Sequence, residues 1–176
     1  MKDFIKKNLA TLIVAGAGLL AFIFCLFLPG ISYKMGDGRT DVAIIGLMFG
    51  RSTAVSKSAG AKVEMVINGG LSIFGLLSFL CLIAGIGLTI ASIFVKDKKF
   101  DFIGSILIVV AGIFAFMLLV ACTDITKMAG EKLPKPEAFK EVFGDFKLGA
   151  GVYVYGILAI LGGGFGIANK FLKIVK

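Results

Sequence analysis

Four long runs of apolar residues dominate the pattern of hydrophobic and polar positions along the chain. They cover residues 9–28, 70–95, 102–122 and 148–169, and none of them contains Asp, Glu, Lys or Arg. A helix that rises about 1.5 Å per residue crosses the ~30 Å hydrocarbon layer of a membrane in about 20 residues, and each run is at least that long. The pattern therefore predicts an all-α integral membrane protein whose core is a bundle of four transmembrane helices.

The first run has an alternative interpretation as the apolar part of a cleaved signal peptide, because lysines precede it. Its length exceeds the ~7–15 residues usual for such a part, and no Ala-x-Ala cleavage pattern precedes Pro29. We therefore expect this run to be retained as a membrane anchor.

Charge divides the segments that flank and join these runs into two groups. Residues 1–8, 96–101 and 170–176 hold nine lysines and three acidic residues, whereas residues 29–69 and 123–147 hold ten basic and eight acidic residues. The side with the excess of lysine is normally cytoplasmic. We therefore expect a multi-pass protein of the plasma membrane with both termini and the short link in the cytoplasm and two extracellular loops.

The three tyrosines agree with this orientation. Tyr33, Tyr153 and Tyr155 all fall near the ends of the runs that would face the exterior. Because an amphipathic ring prefers the membrane interface, we expect all three to lie near the outer surface.

The first extracellular loop has the character of a small β-sheet. Residues 62–68 and 42–49 are rich in apolar and β-branched side chains, residues 51–60 between them are rich in Ser, Ala and Gly, and Asp37 with Gly38 is typical of a turn. These features predict an antiparallel sheet or hairpin of two to three strands. For residues 42–49, a short buried or interfacial helix is the alternative to a strand.

The second loop has the spacing of a short amphipathic helix. Phe139, Val142, Phe143 and Phe146 recur at intervals of three and four residues, and Pro136 suits the start of a helix. We expect this helix to pack on the first loop's sheet, with contact to a partner as the alternative.

Composition argues against several functions. The chain has no histidine, which excludes a Ser-His-Asp triad and the HExxH zinc site, and no grouping of loop carboxylates has a spacing that defines catalysis. We therefore expect a protein that is not an enzyme and that has no cofactor, no metal site and no nucleic-acid partner. The net charge of +8 instead suits the anionic face of a lipid membrane.

Small residues recur at helical spacing along the runs and predict close helix packing. The expected packing positions are Gly149, Gly156, Ala159, Gly162, Gly163 and Gly166 in the fourth run, Gly85 in the second, and Ala111 and Ala115 in the third. We expect them to pack within one bundle, and contact between subunits is the alternative for part of the fourth run. Hydroxyl groups in the runs are expected to bond a carbonyl one turn back or on a neighbouring helix.

The layout of four spans, internal termini, a long first outer loop and a short inner link resembles the claudin-type tetraspan proteins. This resemblance implies an external sheet continuous with the helices and side-by-side association of neighbouring molecules. The loop has neither the Trp nor the Cys of that family's signature, and no functional residue is transferred from it. The preference for lysine over arginine fits a bacterial source.

The leading functional hypothesis is a structural or interaction protein that associates with copies of itself or with another envelope protein. The expected protein-contact residues are Ile44, Ile45, Leu47, Met48, Phe139, Phe143 and Phe146. One alternative is an accessory subunit of a larger channel or transporter, and another is a pore built from several copies.

Overall fold

The computed structural model describes residues 2–35, 38–49, 51–58, 61–68, 73–95, 97–132, 147–172 and 174. In chain order the elements are α1 (Lys2–Phe27), β1 (Pro29–Met35), β2 (Gly38–Ala43), α2 (Ile44–Met48), β3 (Arg51–Ser58), β4 (Ala61–Asn68), α3 (Ile73–Val95), α4 (Lys98–Lys132), β5 (Lys147–Leu148) and α5 (Ala150–Leu172). The predicted helix over residues 137–146 lies outside the described residues.

Four of the described helices are long and apolar enough to cross a membrane. The apolar stretches are Asn8–Phe27, Ile73–Val95, Lys98–Leu118 and Ala150–Leu172. The prediction of four helices of spanning length is confirmed, and these helices indicate a multi-pass membrane protein.

Helix α4 is longer than its apolar run. The sequence pattern ended this span at residue 122, whereas the helix continues to Lys132. A helix satisfies its backbone hydrogen bonds internally, so the appearance of polar side chains does not by itself end it.

All strand pairings in the described chain are antiparallel. One sheet has the order β2-β1-β5, and a separate hairpin pairs β3 with β4. In the first sheet Tyr33 pairs with Thr40, and in the hairpin Ala54 pairs with Met65. Residues 51–58, which belong to the Ser-, Ala- and Gly-rich segment between the two predicted strands, form strand β3.

The strand predicted for residues 42–49 is wrong over most of its length. Strand β2 ends at Ala43, and Ile44–Met48 forms the short helix α2, which was the alternative interpretation. Ala43 pairs with Pro29, the first residue of β1, and the chain before Pro29 leads into helix α1. A longer β2 would have no extended neighbour on that side, and α2 instead begins with a hydrogen bond from the Ile44 amide to the Leu28 carbonyl, at 3.4 Å.

The chain divides into two compact units. Unit 1 comprises Met1–Phe24, Leu77–Ala115 and Val154–Lys176, and unit 2 comprises Cys25–Leu76 and Phe116–Tyr153. Unit 1 is built from parts of the four long helices. Unit 2 holds the strands and α2.

Each unit has its own buried side chains. The fully buried residues of unit 1 include Val14, Leu82, Ile108 and Tyr155, and those of unit 2 include Cys25, Ile44, Met48, Leu118 and Val152. Many large apolar side chains on all four long helices remain exposed, as expected where lipid rather than water is the solvent.

Candidate interhelical site and protein interface

A buried hydroxyl pair joins three helices inside unit 1. The Ser78 hydroxyl on α3 donates a hydrogen bond to the Ala111 carbonyl oxygen on α4, and its oxygen lies 2.7 Å from the Tyr155 hydroxyl on α5. Both Ser78 and Tyr155 have no exposed surface. Each of these polar groups would be costly to bury in apolar surroundings without a hydrogen-bond partner. The pair therefore fixes the positions of the three helices relative to one another.

This position differs from the one predicted for Tyr155. The sequence suggested an interfacial ring, whereas the ring is completely buried and its hydroxyl bonds to Ser78. Tyr153 is 49% exposed and packs against Phe116 with ring centroids 6.1 Å apart. Sequence reasoning missed the Ser78–Tyr155 pair because the two residues are 77 positions apart.

Three further hydroxyls in the long helices bond as the sequence predicted. Thr89 donates to the Gly85 carbonyl, Ser92 to the Thr89 carbonyl and Ser105 to the Asp101 carbonyl, at 2.7–2.9 Å. All three acceptors lie about one turn back on the same helix. These hydroxyls are therefore satisfied within the fold.

Small residues bring α5 and α4 into close backbone contact. A Cβ added at Gly112 of α4 would lie 2.8 Å from the Gly156 carbonyl oxygen of α5, and one added at Gly163 would lie 2.9 Å from the Val109 nitrogen. A Cβ at Gly166 would collide with the Ser105 hydroxyl. No side chain fits between the two helices at these points.

Helices α3 and α1 contribute further close contacts in unit 1. Gly85 of α3 and Gly104 of α4 face each other, and a Cβ at Gly85 would lie 2.9 Å from the Gly104 oxygen. A Cβ at Gly162 would lie 2.5 Å from the Ala17 methyl group of α1. In unit 2, a Cβ at Gly149 would collide with Pro29 of β1. The remaining predicted packing residues, Ala111, Ala115 and Ala159, are fully buried.

Three glycines in the spans have open space instead. In the part of the chain that the structure describes, a Cβ added at Gly16, Gly87 or Gly164 would meet no atom within 4 Å outside its immediate helix neighbourhood. Gly87 is the most exposed of the three and lies on α3 beside exposed Ala84. The exposed side of α3 formed by Leu80, Ile83, Ala84, Gly87 and Ile90 is termed the Gly87 face.

The predicted protein-contact residues of the first loop do not form an exposed patch. Ile44 and Met48 are fully buried, and the Cys25 thiol lies 3.8 Å from the Met48 sulfur in the core of unit 2. Ile45 is half-buried. The hypothesis required exposure, and helix α2 removes it by turning Ile44 and Met48 inwards, one turn apart. The side chain of Leu47 and residues Phe139, Phe143 and Phe146 lie outside the described part of the structure.

A polar cluster joins α1, α4 and α5 at the other end of unit 1. Asp101 belongs to the first turn of α4 rather than to a link, and Thr11 of α1 makes a side-chain hydrogen bond to its carboxylate. Lys170 of α5 lies close enough to attract that carboxylate. The Lys170 ammonium is also 3.7 Å from the centroid of the Phe102 ring, which packs edge-on against Phe171. These five residues are termed the Asp101 cluster.

The Asp101 cluster escaped the sequence analysis because Asp101 and Lys170 stood just outside the predicted spans. Asp101 immediately precedes one apolar run, and Lys170 immediately follows another. The sequence did contain a signal for this cluster. An acid at the start of one span and a base at the end of the next lie on the same side of the membrane if the two helices are antiparallel.

Among the described residues no group of three or more His, Cys, Asp and Glu side chains comes together that could hold a metal ion.

Comparison with known proteins does not assign the chain to a family. No protein-family model matches the sequence, and no curated protein is significantly similar to it. The four helices of spanning length are consistent with a tetraspan topology, and claudin-type membership stays a prediction.

The Ser78–Tyr155 pair predicts a specific loss of stability. Replacing Tyr155 by Phe removes the hydroxyl and should lower the unfolding free energy in mixed micelles by about 1 kcal/mol. Tyr153→Phe is the matched control because that side chain is half-exposed, and it should change stability by less than about 0.5 kcal/mol. Equal effects of the two changes would contradict an interhelical role for the Tyr155 hydroxyl.

Two neighbouring glycines of α3 predict opposite responses to the same substitution. Gly85→Ala places a methyl group against the backbone of α4 and should cost about 1–3 kcal/mol of unfolding free energy. Gly87→Ala enters open space and should be neutral or stabilise the chain by up to about 1 kcal/mol, since alanine is the better helix former. The measurement is denaturing-detergent unfolding at low protein concentration. A destabilising Gly87→Ala and a neutral Gly85→Ala would contradict the observed packing.

Proposed function

We propose that this chain is a non-enzymatic tetraspan protein of the plasma membrane that works by association, primarily with further copies of itself. Its termini lie in the cytoplasm, and the segments between α1 and α3 and between α4 and α5 lie outside. The strands of unit 2 then form a small extracellular domain, in the manner of the claudin-type layout.

The hydroxyl bonding supports a structural role over transport. Ion-coupled carriers use ionisable groups that face a cavity in the membrane. Here the buried hydroxyls Ser78, Thr89, Ser92 and Ser105 are occupied by hydrogen bonds within the helices that carry them or with a neighbouring helix. Of these four, Ser78 joins neighbouring helices and the other three bond within their own helix, so none of them is free to line a path for a transported solute.

The Gly87 face is the observation that carries the proposal. Glycine weakens a helix by about 1 kcal/mol relative to alanine, and glycines such as Gly85 offset this through close packing that a side chain would block. Gly87 has no such contact with the described residues. A facing helix from a second copy would account for the glycine at this position. The exposed small residues Ala84 and Gly87 lie between the larger Ile83 and Ile90 and form a groove. A groove of this kind lets two helix backbones approach closely in lipid.

The extracellular segments offer a second point of contact. Among the described strands β4 pairs only with β3. A sheet edge of this kind can accept a strand from a neighbour, which would add backbone hydrogen bonds to the helix contact.

The test is the mass of the complex in mild detergent, with wild-type and variant chains compared over a dilution series. We expect the wild-type protein to form a homogeneous multiple of 18.5 kDa. Gly87→Ile fills the groove and should weaken self-association by at least about tenfold. Leu161→Phe adds bulk at a 65% exposed position of α5 and serves as the control that leaves association unchanged.

Two results would count against self-association through this face, and a third would change the role of the assembly. A Gly87→Ile chain that assembles like the wild type would remove the α3 contact. A 1:1 complex with one larger transporter or channel would instead favour an accessory subunit. Conductance from the purified protein in liposomes would favour an oligomeric pore.

A further inference from the structure

One oxygen of the Asp101 carboxylate accepts no hydrogen bond from the described residues. Asp101 is half-buried in the first turn of α4, and Thr11 supplies a hydrogen bond to the carboxylate. The other oxygen, Oδ1, is buried and has no hydrogen-bond partner among the described groups. A buried acceptor without a donor is costly, so this oxygen favours a ligand or side chain that brings an N–H or O–H group.

A cation and an apolar surface adjoin this acceptor. The exposed Lys170 side chain is attracted by the Asp101 carboxylate, and its ammonium group lies over the Phe102 ring. The two residues after Lys170 in α5, Phe171 and Leu172, are 71% and 72% exposed. A negative group, a positive group and exposed apolar side chains therefore occur together at the ends of two membrane helices.

We propose that the Asp101 cluster binds the headgroup of a zwitterionic aminophospholipid, of which phosphatidylethanolamine is the simplest example. The lipid ammonium donates to Asp101 Oδ1, the lipid phosphate accepts from the Lys170 ammonium, and the acyl chains lie against Phe171 and Leu172. This inference rests on one part of the proposed function, namely that these helix ends are at the level of the cytoplasmic headgroups.

Charge complementarity favours this class of lipid over an anionic one. A headgroup that carries only a phosphate would gain from Lys170 but would be repelled by the adjacent Asp101 carboxylate. A phosphate and an ammonium on one headgroup match the lysine and the carboxylate together. Because Oδ1 is buried, binding requires the groups that cover it to move aside, and the flexible stem of Lys170 allows its ammonium to turn from the Phe102 ring towards the phosphate.

The experiment measures lipid retention by native mass spectrometry and thermal stabilisation in detergent. The full-length chain is titrated with phosphatidylethanolamine or phosphatidylglycerol of identical acyl chains. We expect the wild type to retain the aminophospholipid at least about fivefold better. Asp101→Asn should reduce this ratio to near one, and Lys170→Gln should lower the retention of both lipids. Lys99→Gln removes an exposed cation from the same turn of α4 as Asp101 and should leave the preference for the aminophospholipid unchanged.

A second variant and a soluble probe keep the test decisive. Thr11→Val preserves side-chain shape and removes the hydrogen bond that orients the carboxylate, so it should reduce the preference even if Asp101→Asn fails to fold. Free phosphoethanolamine should stabilise the wild type far less than the lipid does. Equal stabilisation by phosphoethanolamine would overturn the lipid assignment, and equal retention of the two lipids by the wild type would overturn the site. The mass of the wild-type complex reports self-association separately, so either proposal can fail alone.

Discussion

Close approach of helix backbones is the constraint on which unit 1 depends. Apolar side chains gain little by leaving lipid, so helices in a membrane associate through tight packing and hydrogen bonds. Helix α4 takes part in most of these contacts: Gly104 meets Gly85 of α3, and Gly112 meets Gly156 of α5. Because glycines stand on both sides of these contacts, a side chain on either helix would separate the pair.

Hydrogen bonds between buried polar groups fix the relative positions of the packed helices. Close contact between smooth apolar surfaces permits sliding, whereas a buried hydroxyl must meet its partner at one position. The Ser78–Tyr155 hydrogen bond provides such a position for α3 and α5, and the Thr11–Asp101 hydrogen bond does so for α1 and α4. Both lie within unit 1, and each joins helices that are distant in sequence.

The role of each glycine therefore depends on what surrounds it in the fold and not on the sequence motif that contains it. Gly85 and Gly87 are two residues apart on one helix, yet the first faces the backbone of α4 and the second faces open space. Helical geometry explains the difference, since positions two apart point about 200° from each other around the axis. The same residue type thus supports the fold at one position and supports the proposal of an intermolecular contact at the other.

The sequence by itself determined the number of membrane-spanning helices, because a run of about 20 apolar residues has few alternatives to a helix in lipid. It also predicted that hydroxyls in the spans bond a carbonyl one turn back or on a neighbouring helix, and Thr89, Ser92 and Ser105 follow the first option, whose partners are local. Only the tertiary structure decided that Ile44 and Met48 are buried by helix α2 and that Tyr155 bonds to Ser78. These outcomes depend on which distant segments become neighbours. Strand β2 ends opposite the first residue of β1, and Tyr155 and Ser78 meet only when α3 and α5 pack together.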